Sequence, residues 1–502
     1  MAQDSEGPTP VKRRRYSEEQ EELNQDERLV KWFCEDLVPC DILDDNGCRN
    51  YFKETIPNYS LPSKEKFLKI LIPRQYKIVS SHLKTMLQSV AHLAVTIDTL
   101  KYGKVRKPRD IWIGTVHFVH EGKFVSQILF AIELKLKEED LKKHIIEWGL
   151  SSKIVCFVTG HERNENLLQI INHLQIPHLY CAAATLRLTF QKCFQYLLNN
   201  EDFRGKYSNV KLLKKKKDEP FFWHNQYTVL QSLSEGAENE EKIELTECVQ
   251  ILKPFVDVAD ELSKEQYTTL SCIIPIIVGL KIRIGKSSPS TNCAKEFKDA
   301  LMDSIDSHFG PYVDDPLATK ATYIDPRFTK TAFMDNEKGI FVEKEVIKDL
   351  YGPQSRNPAT SSNSNDQPEP IPSSSNNQEE HVSVNYAETE SPFAFLDESV
   401  ETKMTNNEKS MIEVKQIKIP KIHSKDDPFK FWDEYKMNDE YNLLFRMSQK
   451  YLCIPATAIP VESISGEFPW KPAFAKYTER KKKIEFEHVG KILFLHSFYS
   501  RK

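Results

Sequence analysis

Nowhere in the 502 residues does an uninterrupted apolar run approach the ~18 residues that a membrane helix needs, so no membrane partner is expected. The N-terminus is polar and basic and carries no apolar signal region, so export is not expected either. Cysteine is present without a pattern. Ten residues at irregular intervals fit free thiols in a reducing compartment better than a disulfide framework. No two of them stand as Cys-x-x-Cys ahead of spaced histidines, the usual zinc-finger ligand spacing. Cys34, Cys40 and Cys48 have five and seven residues between them, and the next histidine is His82. These thiols read as small buried hydrophobes, and neither a metal nor another cofactor is expected. Charge of one sign is also missing. A net charge of −4 gives no global drive towards nucleic acid, so any DNA contact must come from local basic patches.

What is present is enough apolar material, 40% hydrophobic and 11% aromatic, for two or three packed regions. Lys12-Arg13-Arg14-Arg15 lies in a polar stretch, residues 1–28, that is expected to be an unstructured tail. Such a run reads as a nuclear localisation signal or a phosphate-touching arm, against the plainer reading of a solubilising tail. Phosphorylation of Ser17 would offset its charge. Lys214 to Lys217 and Lys481 to Lys483 read as solvated faces.

Along the chain the periodicity changes several times. In residues 29–88, apolar positions such as Trp32, Phe33, Leu37, Phe67, Ile70 and Leu71 have helical spacing, punctuated by Pro39, Pro57, Pro62 and Pro73. Residues 89–205 alternate strand-like and helical runs. Ala94 to Ile97, Ile111 to Phe118, Phe124 to Ile132 and Ile154 to Val158 read as strands; Glu138 to Trp148 and Asn164 to Leu174 read as helices. The predicted class is α/β plus α, with a mixed sheet. Residues 206–351 are predicted to be helical. Residues 352–410 are dominated by Ser, Asn, Pro, Glu and Thr and read as a disordered linker, because they cannot bury enough apolar surface to offset ordering entropy. One apolar island, Pro392-Phe393-Ala394-Phe395-Leu396, is expected to dock either on a partner or on this protein's own surface. Residues 411–502 return to aromatic, helix-like sequence.

In that last stretch, Asp427-Pro428-Phe429-Lys430-Phe431-Trp432 is followed by Leu443-Leu444 and Met447. Then come Lys450-Tyr451-Leu452-Cys453-Ile454-Pro455-Ala456-Thr457, Arg480, and a closing helix through Val489, Ile492, Leu493, Phe494 and Leu495. This order resembles the C-terminal dimerisation region of hAT transposases. Upstream, Glu147-Trp148-Gly149-Leu150 before Lys153-Ile154 resembles a helix-to-strand junction of BED-finger hAT-derived proteins, although no recognisable BED finger is present. Ile251 to Phe255, Glu261 to Ser263 and Tyr267 to Ser271 are similar to the family's helical insertion. Tyr323-Ile324-Asp325-Pro326-Arg327-Phe328 is similar to its LDPRfK box. The resemblance implies an RNase H-like mixed sheet, interrupted by a helical insertion (206–351) and completed by the C-terminal region. It also implies a homodimer whose seam uses Phe429, Phe431, Trp432, Leu452, Ile454, Leu493 and Phe494.

Transposition on that fold requires three carboxylates gathering two divalent metals roughly 3.5 to 4 Å apart. By resemblance, Asp98 is the first. The aromatic that should follow it is Leu100. The second position, after the strand Ile154 to Thr159, holds Gly160, with His161 next and Glu162 two residues displaced. The third is Glu462, followed by Ser463 where the family has Arg; Glu467 is the alternative. The family's Cys-x-x-His becomes Cys181-Ala182-Ala183-Ala184, and its Arg-Trp becomes Phe222-Trp223. Asp98 and Glu462 are therefore read as remnants, ordinary polar residues at element ends, and the chain as catalytically inactive. Two functions follow. One is a nuclear, DNA- or chromatin-associated dimer in transcription regulation. The other is a protein-interaction adaptor that dimerises and recruits partners without reading DNA itself.

Overall fold

The computed structural model describes residues 10–102, 109–133, 137–160, 165–207, 223–262, 269–333, 335–351, 393, 396, 419–438, 441–458 and 486–500. At its centre is a five-stranded sheet of order β3-β2-β1-β4-β5: β1 (Leu93–Tyr102), β2 (Arg109–His120), β3 (Lys123–Glu133), β4 (Ile154–Thr159) and β5 (His178–Tyr180). The first three strands form an antiparallel meander, and β4 and β5 add on parallel to β1. Glu121 and Gly122, both left-handed at φ 49° and 68°, make the two-residue turn between β2 and β3. Such a turn has the twist that an antiparallel hairpin needs. The parallel strands are joined through α5 (Glu138–Glu147) and α6 (Glu165–His173), as parallel pairing requires.

Side-chain alternation along β1 divides the molecule into two cores. Leu93, Val95 and Ile97 point to the first, with Phe157 from β4 and Val116 and Phe118 from β2. The N-terminal helices cover this face: α1 (Pro10–Glu35), α2 (Asn46–Thr55), α3 (Lys64–Lys66), a π-turn at Phe67–Leu71, and α4 (Ile72–Ser89). Ala94 points to the second core, with Cys156 and Val158. That core is built from α7 (Ala182–Asn199), α8 (Glu201–Tyr207), α9 (Trp223–Gly236), α10 (Asn239–Leu262), α11 (Ile273–Lys286), α12 (Asn292–Asp314), α13 (Pro316–Ile324) and α14 (Asn336–Tyr351). Helices α9 to α14 lie within residues 206–351. Several helix starts follow directly from sequence. Asp315 before Pro316 and Asp427 before Pro428 each accept hydrogen bonds from the two backbone N–H groups that follow the proline, the arrangement that ends an N-terminus well.

The basic stretch is a correction. Residues 1–28 are expected to be unstructured, yet α1 begins at Pro10 and carries Lys12, Arg13, Arg14 and Arg15 in its first turns; their side chains lie outside the described residues. The C-terminal half of α1 buries Leu29, Val30 and Phe33, and Asp26 accepts from Tyr59 Oη at 2.8 Å and Arg74 at 3.2 Å. A helix anchored at one end propagates at little cost through Glu, Gln and Arg, and no Gly or Pro interrupts residues 11–35.

Two segments of the C-terminal region, α15 (Pro428–Tyr435) and α16 (Asn442–Tyr451), pack on the second core. The last helix, α17 (Phe486–Tyr499), belongs to the first. It lies along β3, where the Gln127 side chain donates to Phe494 O at 2.9 Å and to Ser497 Oγ at 2.5 Å. On its other side, His496 Nδ1 meets the carbonyls of Cys34 and Glu35 at the end of α1, and Tyr499 bonds Gln75 of α4. Chain ends far apart in sequence thus close one core.

Candidate functional site

Parallel pairing brings the middle of β1 beside the ends of β4 and β5, so that Asp98, expected at an element end, lies inside a strand that continues to Tyr102. Ile97 is in register with Thr159, and Thr159 with Tyr180, so Asp98 and Gly160 follow on adjacent strands. On its other flank Asp98 pairs with Ile113 of β2. Cys181 N donates to Thr159 O at 2.8 Å, and Ala182 N donates to Ala456 O at 2.9 Å. The Ile454-Pro455-Ala456 stretch is therefore carried to the same sheet end, against the start of α7. Leu270 N donates to Ile454 O, and Thr269 bridges Pro455, which holds the stretch from its other side. Three of the sequence marks, Asp98, Gly160 and Cys181, thus meet at one place. Glu162, Glu462 and Glu467 lie outside the described residues.

The described residues at this sheet end offer one carboxylate, half-buried Asp98. Gly160 has no side chain to offer a cation, and among the described residues no three His, Cys, Asp or Glu side chains form a metal-holding group. Ala184, in the first turn of α7, is buried among Ala182, Ala183 and Thr185, so the position where the family has an imidazole is filled by core packing. Trp223 opens α9, with its side chain outside the described residues.

Beside Asp98 on the same sheet face runs a chain of neutral hydrogen bonds. Thr96 Oγ1 meets His117 Nε2 at 2.9 Å, and His117 Nδ1 meets Ser126 Oγ at 2.9 Å. Burial disfavours the imidazolium and pushes His117 down to about 3. The ring also stacks on Phe124, which in turn stacks on Phe429 of α15. The LDPRfK-like box supplies the other polar feature. Asp325 and Arg327 are almost fully buried. The guanidinium donates Nε to Asp325 Oδ1 at 2.9 Å and Nη2 to Oδ2 at 2.7 Å. Ser271 Oγ donates to the same carboxylate at 2.6 Å. Burial alone would depress the guanidinium, but the Asp325 carboxylate more than offsets this and holds it above its ordinary value. The box is thus a structural clamp between α13 and the turn at Leu270–Cys272. Only its order, Asp-Pro-Arg, is visible in sequence; that the two charges pair with each other is not.

The residues expected at a dimer seam are placed differently. Phe429, Trp432, Leu452, Ile454, Leu493 and Phe494, expected at a seam with a second copy, are buried inside this one chain, and Phe431 is half-buried. Trp432 Nε1 donates to Ile324 O at 3.2 Å, and Phe494 packs edge-on to Tyr76 and stacks on Trp148. These motif residues complete the chain's own cores, because an aromatic at each of these positions has an intramolecular pocket to fill. Elsewhere in the first core, Arg74 is paired with Asp26, and Lys84 sits over Trp148, 5.1 Å from the ring centroid. Phe393 and Leu396, in the segment read as a disordered linker, are buried on this protein's own surface, which decides between the two expected docking modes.

Comparison with known proteins identifies the class: residues 408–499 match the hAT family C-terminal dimerisation region. That C-terminal stretch is thus similar to the hAT family's region for self-association. Among curated proteins it is similar to the human Zinc finger BED domain-containing protein 4, 23% identical over 372 residues. That match takes in 63% of this chain and spans about a third, 31%, of the relative's length.

Proposed function

We propose that this chain is a nuclear, DNA- or chromatin-associated dimer in transcription regulation, built on an RNase H-like scaffold that no longer performs transposition. The observation that carries the loss of chemistry is Gly160, placed on the strand end next to Asp98 where a second carboxylate is required. The scaffold reading is supported by a mixed sheet, interrupted by helices α8 to α14 and closed by α17 against β3. Association with DNA is supported by the match to the hAT family region and by the relative with a zinc finger BED domain. The Lys12 to Arg15 run supports nuclear entry.

Binding of the full chain to duplex DNA, measured from 50 to 200 mM salt, tests the first part. Phosphate contacts release counterions, so the logarithm of affinity is expected to fall linearly with that of salt, by roughly 0.9 per phosphate neutralised. The net charge of −4 favours the second reading, an adaptor that recruits partners through its dimer without touching DNA. Absence of salt-dependent binding moves the conclusion to that reading. Incubation with supercoiled DNA and Mg²⁺ or Mn²⁺ tests the loss of chemistry: no nicked or joined product is expected, and a product abolished by Asp98→Ala would overturn it.

A further inference from the structure

Between residues 352 and 418 the described positions are Phe393 and Leu396, and both are buried, at 3% and 0% exposure. They sit in the most polar stretch of the chain, and each is held by a distinct group. The Phe393 ring lies 5.3 Å from that of Phe328, the last residue of the Asp325–Phe328 box. Lys421 Nζ donates to Leu396 O at 2.6 Å, and Leu396 N closes back on Phe393 O at 2.9 Å. The lysine is itself fixed next door, since Ile422 N donates to Pro326 O of the same box. Beneath this surface the buried Asp325–Arg327 pair and the bond from Trp432 to Ile324 O make the floor rigid before any peptide arrives.

A floor held by its own hydrogen bonds, two apolar anchors three residues apart, and a cation on the peptide carbonyl between polar flanks are the parts of a short-peptide docking site. We propose that the surface over Pro326 and Phe328 is such a site, that it takes a Phe-x-x-Leu segment, and that in this chain its occupant is the chain's own Phe393–Leu396, bound in cis. Twenty-two residues separate Leu396 from Ile419, and a tether of that length sets an effective concentration of about millimolar. An anchor pair that binds only modestly as a free peptide is therefore bound most of the time in the intact chain. The same arithmetic lets the segment leave and return without unfolding anything else.

The experiment uses the full-length chain and a fluorescein-labelled peptide with the sequence of residues 386–400. The double variant Phe393→Ala/Leu396→Ala empties the site, and fluorescence anisotropy reads the peptide bound in trans. Saturable binding to the variant, at least tenfold weaker to the wild-type chain and abolished for a peptide carrying the same two alanines, is the expected result. Circular dichroism of the variant is expected to show an unchanged spectrum and a cooperative melt. Equal binding to both chains, or none to a folded variant, overturns the proposal. A variant that loses its cooperative melt overturns it too, because the two residues are then part of the core and not a separable ligand. Lys421→Met, which keeps the aliphatic stem and removes the donor, is expected to weaken peptide binding to the double variant several-fold. If peptide binding to the wild-type chain instead rises on dilution below the dimer range, the seat is filled by a second copy and the cis assignment falls.

Discussion

At the scale of single residues, burial decides which polar groups matter. The exposed pair Lys69–Glu65 on one helix face has charges that water screens, so it contributes at most ~0.5 kcal/mol. Arg327 and Asp325 are the opposite case. Both charges are out of water, and each is tolerable only because the other accepts or donates. Asp325→Ala leaves a buried guanidinium without its counter-charge and is expected to cost about 3–5 kcal/mol, read as a shift in the guanidinium chloride midpoint. A loss under ~1 kcal/mol would mean that the clamp is not what holds α13 to the Leu270–Cys272 turn. His117 gives a pH signature of its own. Its folded value of about 3 lies below the ordinary ~6.5, so on acidification the unfolded chain takes up a proton first. Stability from this group is intact above pH ~6.5 and falls as pH drops towards 3, by about 2–3 kcal/mol at pH 4.5. Comparing unfolding midpoints at pH 7 and 4.5 tests this. His117→Asn is expected to lower stability at pH 7 but to show a smaller acid loss than the wild-type chain.

At the scale of elements, the chain is legible where local pattern and final burial agree. The runs Ala94 to Ile97, Phe124 to Ile132 and Ile154 to Val158 fall within β1, β3 and β4, because a short, nearly continuous apolar run marks a buried strand without knowledge of its neighbours. Strand β5 is not legible: three residues, His178–Tyr180, are too few to carry a period, and their pairing with β4 is a tertiary fact. The candidate site is half legible. Asp98 and Gly160 are identified by their order after apolar runs, but their adjacency rests on the parallel register of β1 with β4. The apolar C-terminal motif is legible as a motif and not as a location, since sequence marks a residue as buried without saying in which chain. The β2–β3 hairpin shows how one such element is fixed. A Cβ on Gly122 would come within 2.9 Å of Asp433 Cβ in α15, at a left-handed φ of 68°. Gly122→Ala is therefore expected to destabilise by about 1–2 kcal/mol from backbone strain, and more if α15 cannot shift. Thermal denaturation reads the loss. Gly47→Ala, where nothing lies within 4 Å, is the control and is expected to be near neutral or stabilising.

At the scale of the whole molecule, the sheet is the shared wall of two cores. Opening either would expose one face of β1 and β4 while the other face stays packed, leaving Val95, Ile97 and Phe157 or Ala94, Cys156 and Val158 in water. Each exposed side chain costs on the order of 1.5–3 kcal/mol for the larger ones, so half-open states are disfavoured and the cores are expected to unfold together. Phe494→Ala, in the first core, and Phe190→Ala, in the second, should each cost about 3–5 kcal/mol. Both should move the same transition. Fluorescence separates the cores: Trp112 and Trp148 belong to the first and Trp432 to the second. Trp432→Phe silences one reporter of the second core, and its difference from the wild-type chain isolates that signal. Emission from each side and helical circular dichroism are expected to report coincident midpoints in all variants. Two transitions, with Phe494→Ala moving only one, would show that the sheet does not couple the cores. Coupling has a consequence for self-association through residues 408–499. Six of the motif's large apolar residues are already buried within one chain, so a second copy is not needed to complete either core. Dilution through the dimer range, followed by sedimentation and circular dichroism together, is expected to yield a folded monomer. Loss of helical signal in step with dissociation would instead mean that the dimer is obligate, and that these cores are stable only in the presence of the second copy.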